Sequence, residues 1–139
     1  MVCIVFIHDS FGVAAGFIWK LLNADGTIQE KQLRKKTRLK TGEFNAAIGW
    51  LARENKIVVG DGWYQLGPTN IHDHIGTQAG MVWQLLDMWG ELESSLLAVL
   101  TDVSDDDIFF PLGWLACENK IVVEKTSSQQ SSVLVRLLS

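Results

Sequence analysis

Three sets of side chains in this sequence have types and spacings that chemistry could use. The first is a run of cations, Lys31, Arg34, Lys35, Lys36, Arg38 and Lys40. Cations at this density suit phosphate groups, which they hold without reading sequence; a solvated helix surface with no ligand is the alternative, and both stay open. The second set is His8-Asp9 and His72-Asp73-His74. Imidazole and carboxylate are common zinc ligands, yet only His72 and His74 lie close in sequence, and each set precedes a helix that an Asp can cap. Neither a metal nor a cofactor is expected. The third is Gly12-x-x-x-Gly16 with Gly76-x-x-x-Gly80. A phosphate loop would need a Gly-Lys-Ser/Thr ending that both lack, so these glycines are expected to let a helix pack closely on a neighbour. No nucleophile–base–orienter set stands out, and the carboxylates are scattered, so no enzyme is expected.

The elements that position these residues follow from an internal repeat. Ile48–Val59 reads Ile-Gly-Trp-Leu-Ala-Arg-Glu-Asn-Lys-Ile-Val-Val and returns at Leu112–Val123 as Leu-Gly-Trp-Leu-Ala-Cys-Glu-Asn-Lys-Ile-Val-Val. A shift of about 64 positions aligns His8–Val59 with His72–Val123 without a gap, at about 21 identities in 52. The 139 residues therefore divide into two small units, residues 1–67 and 68–139, each near the lower size limit for an independent core. An apolar content of 47% with six Trp excludes a disordered chain.

Net charge is −4, unevenly split. Up to Gly67 there are 9 basic and 6 acidic side chains; from Pro68 onward there are 3 and 10. Polyanions would be attracted to the first half and repelled by the second. Cys3 and Cys117 have no metal spacing and lie in apolar surroundings, which points to free thiols in a reducing cytoplasm. Met1–Ile7 lacks a basic leader and is too short to span a bilayer, so no membrane association is expected.

Periodicity then gives the element order. Val2–Ile7 reads as a strand, with Val133–Leu138 as one candidate partner. Asp9 or Ser10 is expected to cap a helix starting near Phe11 or Gly12, whose buried stripe is Ala15, Ile18, Trp19 and Leu22; Asp25-Gly26 ends it. Thr27–Gln29 has room for a very short strand. Glu30–Arg38 is a basic helix anchored by Leu33, and Thr41 is expected to cap a third helix through Glu54, with Phe44, Ile48 and Leu51 facing the core. Ile57–Val59 and Trp63–Leu66 flank Asp61-Gly62 as a hairpin.

The second copy repeats the order with helices at Ile75–Met88 and Ser94–Leu100 and a strand at Glu91–Glu93 between them. Its third helix is expected to start at a Ser104/Asp107 capping box, and Pro111 to kink it at a cost of roughly 3 kcal/mol. Ile121–Glu124, a polar loop at Lys125–Ser132 and Val133–Leu138 close the chain. The fold expected is mainly α with small antiparallel β ribbons.

Helix, short strand, helix, turn, helix and two-strand ribbon is the order of a winged helix-turn-helix. The blocks Gly12-x-x-Ala15-Gly16-x-x-Trp19-x-x-Leu22, Leu33 and Gly49-Trp50-Leu51-Ala52-x-Glu54-x-Lys56-Ile57 resemble a small bacterial winged helix-turn-helix family known only as a domain of unknown function. The resemblance covers both copies and implies two tandem winged helix-turn-helix units. By analogy it implies double-stranded DNA binding and transcription regulation through repeat 1. On that reading Lys31, Arg34, Lys35, Lys36, Arg38, Lys40 and Thr41 hold phosphates, while Asn45 and Arg53 reach base edges from the third helix. The matching face of repeat 2 carries Phe109, Phe110, Gly113, Trp114 and Cys117, with Asp105, Asp106 and Asp107 at the helix start, a poor surface for DNA.

Both copies keep Gly-Trp on this face. A glycine inside a helix costs about 1 kcal/mol against alanine, so Gly49, Trp50, Phe109, Phe110, Gly113 and Trp114 are expected to form an interface, within the chain or across a homodimer, unless the two Trp simply fill each core. A protein-interaction or dimerisation module that has lost DNA binding is the competing function.

Overall fold

The computed structural model describes residues 4–6, 8–126 and 132–138. Cys3, the ends of the Val2–Ile7 segment and most of the Lys125–Ser132 loop lie outside the described residues. The order is β1 (Ile4–Phe6), α1 (His8–Asp25), β2 (Ile28–Gln29), α2 (Glu30–Thr37), α3 (Thr41–Arg53), β3 (Ile57–Val59) and β4 (Trp63–Leu66). The second copy follows with α4 (His72–Trp89), β5 (Glu91–Glu93), α5 (Ser94–Thr101), α6 (Phe109–Cys117), β6 (Ile121–Thr126) and β7 (Leu134–Leu137). These are two winged helix-turn-helix units in tandem.

Helix ends are set by backbone geometry more than by side chains. Gly26 takes φ 77° and its N–H closes on the Leu22 carbonyl, ending α1. Asn55 and Asn119, the central residues of the two Glu-Asn-Lys turns, sit at φ 61° and 58°, the left-handed region that Asn enters more readily than most side chains. There Lys56 N–H bonds the Leu51 carbonyl and Lys120 N–H the Leu115 carbonyl, a Schellman-type closure that turns each chain from helix into strand. Arg38 and Asp102 cap α2 and α5 in the same left-handed conformation.

Several starts differ from the sequence expectation. Helix α1 begins at His8, which places Asp9 and Ser10 inside the first turn, where an acid meets the positive end of the helix dipole. Helix α4 likewise begins at His72. Lys40, without a side-chain cap bond, precedes α3, so Thr41 is its first helical residue and not its cap. In repeat 2, Ser104 Oγ accepts the Asp107 N–H at 3.0 Å, but regular helix starts only at Phe109. Pro111 therefore falls in the first turn, where its missing N–H has no helical acceptor to lose, and the expected kink does not arise.

The core runs through both units. Phe11, Ala14, Ala15, Ile18 and Leu22 form the inner stripe of α1; Trp19, expected in that stripe, is 36% exposed because it lies one step round the helix beside a groove. Leu33, Phe44, Ile48 and Leu51 are buried. The sheets are antiparallel, with strand orders β2-β4-β3 and β1-β6-β7-β5. The wing of repeat 1 pairs Val59 with Tyr64 across the Asp61-Gly62 turn. Strand β1 pairs with β6 (Ile4 opposite Thr126, Phe6 opposite Glu124), not with the Val133–Leu138 segment. It precedes repeat 1 in the chain and extends the sheet of repeat 2 in space.

Candidate functional site

Helices α3 and α6 pack against each other, and both are too buried to have a free outer face. Eight residues of α3 are buried, Phe44 to Gly49 with Leu51 and Ala52. A Cβ on Gly49 would collide with the Phe110 carbonyl, and one on Gly113 with the Ala46 carbonyl. Under the repeat shift Gly49 corresponds to Gly113 and Ala46 to Phe110, so the two contacts are one contact made twice, as across a two-fold axis. The same exchange holds at the helix starts. Asn45 Nδ2 donates to the Asp106 carbonyl at 3.0 Å, while its equivalent, Phe109, lies against Gly42, the equivalent of Asp106. A Cβ at Gly42 would come 3.0 Å from the Phe109 ring, which also meets Phe11 edge-on at 6.4 Å.

Charged groups close the other end of this face. Arg53 Nε donates to Glu118 Oε2 at 2.9 Å, and its guanidinium stands 5.7 Å from the Trp114 ring. In the reciprocal position Cys117 lies near Glu54; burial first, and then that carboxylate, push its thiol up to about 11. A thiol so placed is protonated at neutral pH and a poor nucleophile.

The residues considered for nucleic acid separate into two groups. Lys31, Lys35, Arg38 and Lys40 are exposed, as is Thr41. Lys36 is exposed but donates to Asp25 Oδ2 at 2.9 Å. Arg34 lies 4.3 Å over the Phe44 ring and donates to Glu30 Oε1 and Asn45 Oδ1, both at 3.3 Å. Tyr64 donates to the same Glu30 oxygen at 3.1 Å, and burial drives its phenol well above the usual tyrosine range. Asn45 is 2% exposed with both amide atoms engaged. Lys31 and Lys35 on α2, with Arg38 and Lys40 after it, are thus presented to solvent, whereas the side chains considered for base reading are tied into the contact between repeats.

Trp50 and Trp114 turn sideways, each onto the first helix of its own repeat. A Cβ at Gly12 would lie 2.8 Å from the Trp50 ring and one at Gly76 3.3 Å from the Trp114 ring. The first glycine of each Gly-x-x-x-Gly pair thus seats a tryptophan, as close packing requires. The second does not: Gly16 and Gly80 have nothing within 4 Å of a built Cβ. They floor an open groove of about 380 Å³ in repeat 1, between Trp19 on α1 and Trp50, Glu54 and Lys56 beyond it. Repeat 2 has the same groove, about 370 Å³, from Gly80 and Trp83 to Trp114, Glu118 and Lys120. Sequence reading treated these residues as packing only. A Trp three residues after the second glycine in both copies, Gly16–Trp19 and Gly80–Trp83, was the available signal. The groove offers aromatic area and, at one end, the ion pairs Lys56–Glu54 (3.6 Å) and Lys120–Glu118 (3.4 Å).

His72 stacks edge-on against Trp114 at 4.9 Å and approaches Asp73 at 3.4 Å. Among the described residues no group of three or more His, Cys, Asp or Glu could hold a metal ion. No described helix is long and apolar enough to cross a membrane.

The residues of these helices, turns and wings match one domain description twice, the winged helix-turn-helix domain DUF2582, over residues 7–65 and 70–134. The chain belongs to that family. Nothing among curated proteins matches it, and no solved structure does. The two matched segments take in α3, α6 and the residues that line both grooves, so the tandem duplication is a duplication of the whole family domain.

Proposed function

We propose that this protein is a non-enzymatic interaction module: two winged-helix units, divided at Gly67-Pro68, joined face to face through the helices that in DNA-reading relatives of the fold enter the major groove. One observation carries the reading. Gly49 and Gly113 bring α3 and α6 into backbone contact, which buries Asn45 and leaves Arg53 bonded to Glu118. A base edge would have to displace repeat 2 to reach Asn45, and to break the Glu118 ion pair to engage Arg53. The free thiol of Cys117 suits a reducing cytoplasm.

A second reading has its own support. Lys31, Lys35, Arg38 and Lys40 remain exposed on and after α2, the helix that crosses the phosphate backbone in helix-turn-helix complexes. Repeat 1 would then touch duplex DNA without reading it, in a transcription-regulator role, with repeat 2 as scaffold or dimerisation half. Titration of labelled duplexes of several sequences, at low and physiological salt, separates the two. The interaction module gives no binding even at low salt. Phosphate contact gives sequence-independent binding that falls steeply with salt and is lost in Lys35→Glu/Lys36→Glu. Tight binding of one sequence over the others, abolished by Asn45→Ala, would overturn both.

A further inference from the structure

Repeat 2 shows apolar side chains to solvent where repeat 1 shows charge. Under the repeat correspondence Gln32, Lys35 and Lys36 of α2 become Leu96, Val99 and Leu100 of α5; Ala24 and Asp25 of α1 become Met88 and Trp89 of α4. Leu96, Val99 and Leu100 share one helix face by their spacing. In repeat 1 the 2.9 Å bond from Lys36 to Asp25 fixes those two positions as neighbours, and repeat 2 fills the same two positions with Leu100 and Trp89. By that correspondence polar positions of repeat 1 have been exchanged for apolar ones in repeat 2. The apolar residues are exposed: Leu96 45%, Val99 73%, Leu100 48%, Met88 71% and Trp89 64%. Single exposed apolar residues are ordinary; a contiguous group marks a contact surface.

The surroundings of the patch are anionic. Exposed Asp87, Glu91 and Glu93 lie along α4 and β5, and exposed Asp102 caps the C-terminal end of α5, where the helix dipole adds to its charge. The chain holds no Lys or Arg between Lys56 and Lys120. Arg136, opposite Glu91 in the ladder, donates to Glu124 at 3.4 Å.

We propose that the α4–α5 face docks a basic amphipathic segment of a partner protein, with apolar residues filling the Trp89–Leu100 surface and flanking Lys or Arg meeting the acidic rim. Charge decides the occupant. A second copy on the same face would set the same carboxylates against one another, and the α2 surface of a second copy offers cations without apolar side chains to bury. This assignment rests on the interaction reading above and supplies its partner.

The test titrates the ¹⁵N-labelled full chain with a synthetic amphipathic helix of Leu and Lys, and with its Leu and Glu counterpart. Shifts confined to residues 87–102 with the Lys peptide, weakened by salt and absent with the Glu peptide, are expected. The variant Leu96→Gln/Val99→Lys/Leu100→Lys restores the repeat 1 residues at exposed positions, so it should keep the fold and weaken binding roughly tenfold or more. Absence of shifts with the Lys peptide, equal shifts with the Glu peptide, or unchanged binding by the variant would overturn the proposal. So would a concentration-dependent dimer in sedimentation that the variant abolishes, which would make a second copy the occupant. Duplex binding of either kind, measured separately, removes the interaction reading itself and is distinguishable from all of these.

Discussion

A methyl group added at Gly49 would meet the Phe110 carbonyl, whereas one added at Gly16 would meet nothing within 4 Å. Both glycines lie inside helices and look alike in sequence. Gly49→Ala is expected to destabilise by about 1–3 kcal/mol, because backbone cannot step aside as a flexible side chain can. Gly16→Ala is expected to stabilise by up to about 1 kcal/mol through helix propensity. Urea unfolding of the two variants checks the pair, and equal effects would contradict the packing described. Cys117 gives a second residue-scale test. With its thiol pushed up to about 11, the thiolate is scarce at neutral pH, and the group reacts more readily as pH rises toward that value. Iodoacetamide labelling, read by mass spectrometry on the peptide containing Cys117, should be slow at pH 7 and rise steadily into the alkaline range. Fast neutral labelling would mean that this end of the α3–α6 face opens.

Elements were legible where the signal was local. Asp61-Gly62 between apolar runs fixed the wing, Gly26 fixed the end of α1, and the repeated Glu-Asn-Lys fixed both helix-to-strand turns through a left-handed Asn. Helix starts were less legible, because α3, α4, α5 and α6 begin without a side-chain cap bond, which removes the cue that sequence reading relies on. The faces of α3 were harder still. A helix buried against its own core and against α6 has no polar side to orient by, so Trp50 could be placed in a core or an interface with equal reason. It does neither fully, lying half-buried on Gly12. The partner of β1 was beyond reach, since an edge pairing with a strand at the far end of the chain leaves no local trace. Pro111 shows how an element boundary changes an energy. Within the first turn of α6 it breaks no helical bond, and its ring is buried, so Pro111→Ala should bring no gain in unfolding free energy and a loss of about 1 kcal/mol or more. A gain near 3 kcal/mol would place the proline in the helix interior after all.

At the scale of the whole molecule, contacts that join the repeats include glycine-mediated helix packing, the Asn45 and Arg53 bonds, the Phe11–Phe109 ring contact and the β1–β6 ladder. Two repeats so connected are expected to melt together. Tryptophan fluorescence and far-ultraviolet circular dichroism should trace one coincident transition, and two separated steps would show the halves to be independent. Duplication was plain in the sequence, and so was the divergence of charge between the halves. The exchange of the Asp25–Lys36 pair for Trp89 and Leu100 was not, because only the structure shows that Asp25 and Lys36 touch.

Strand β1 finds its ladder partner in β6, nearly the full chain length away. Loop closure over such a distance is slow and entropically costly, and it has to follow the local steps. During synthesis the first strand therefore emerges long before its partner exists. Until the ribosome has delivered the final hairpin, an apolar segment waits unpaired, exposed to any other open sheet edge nearby.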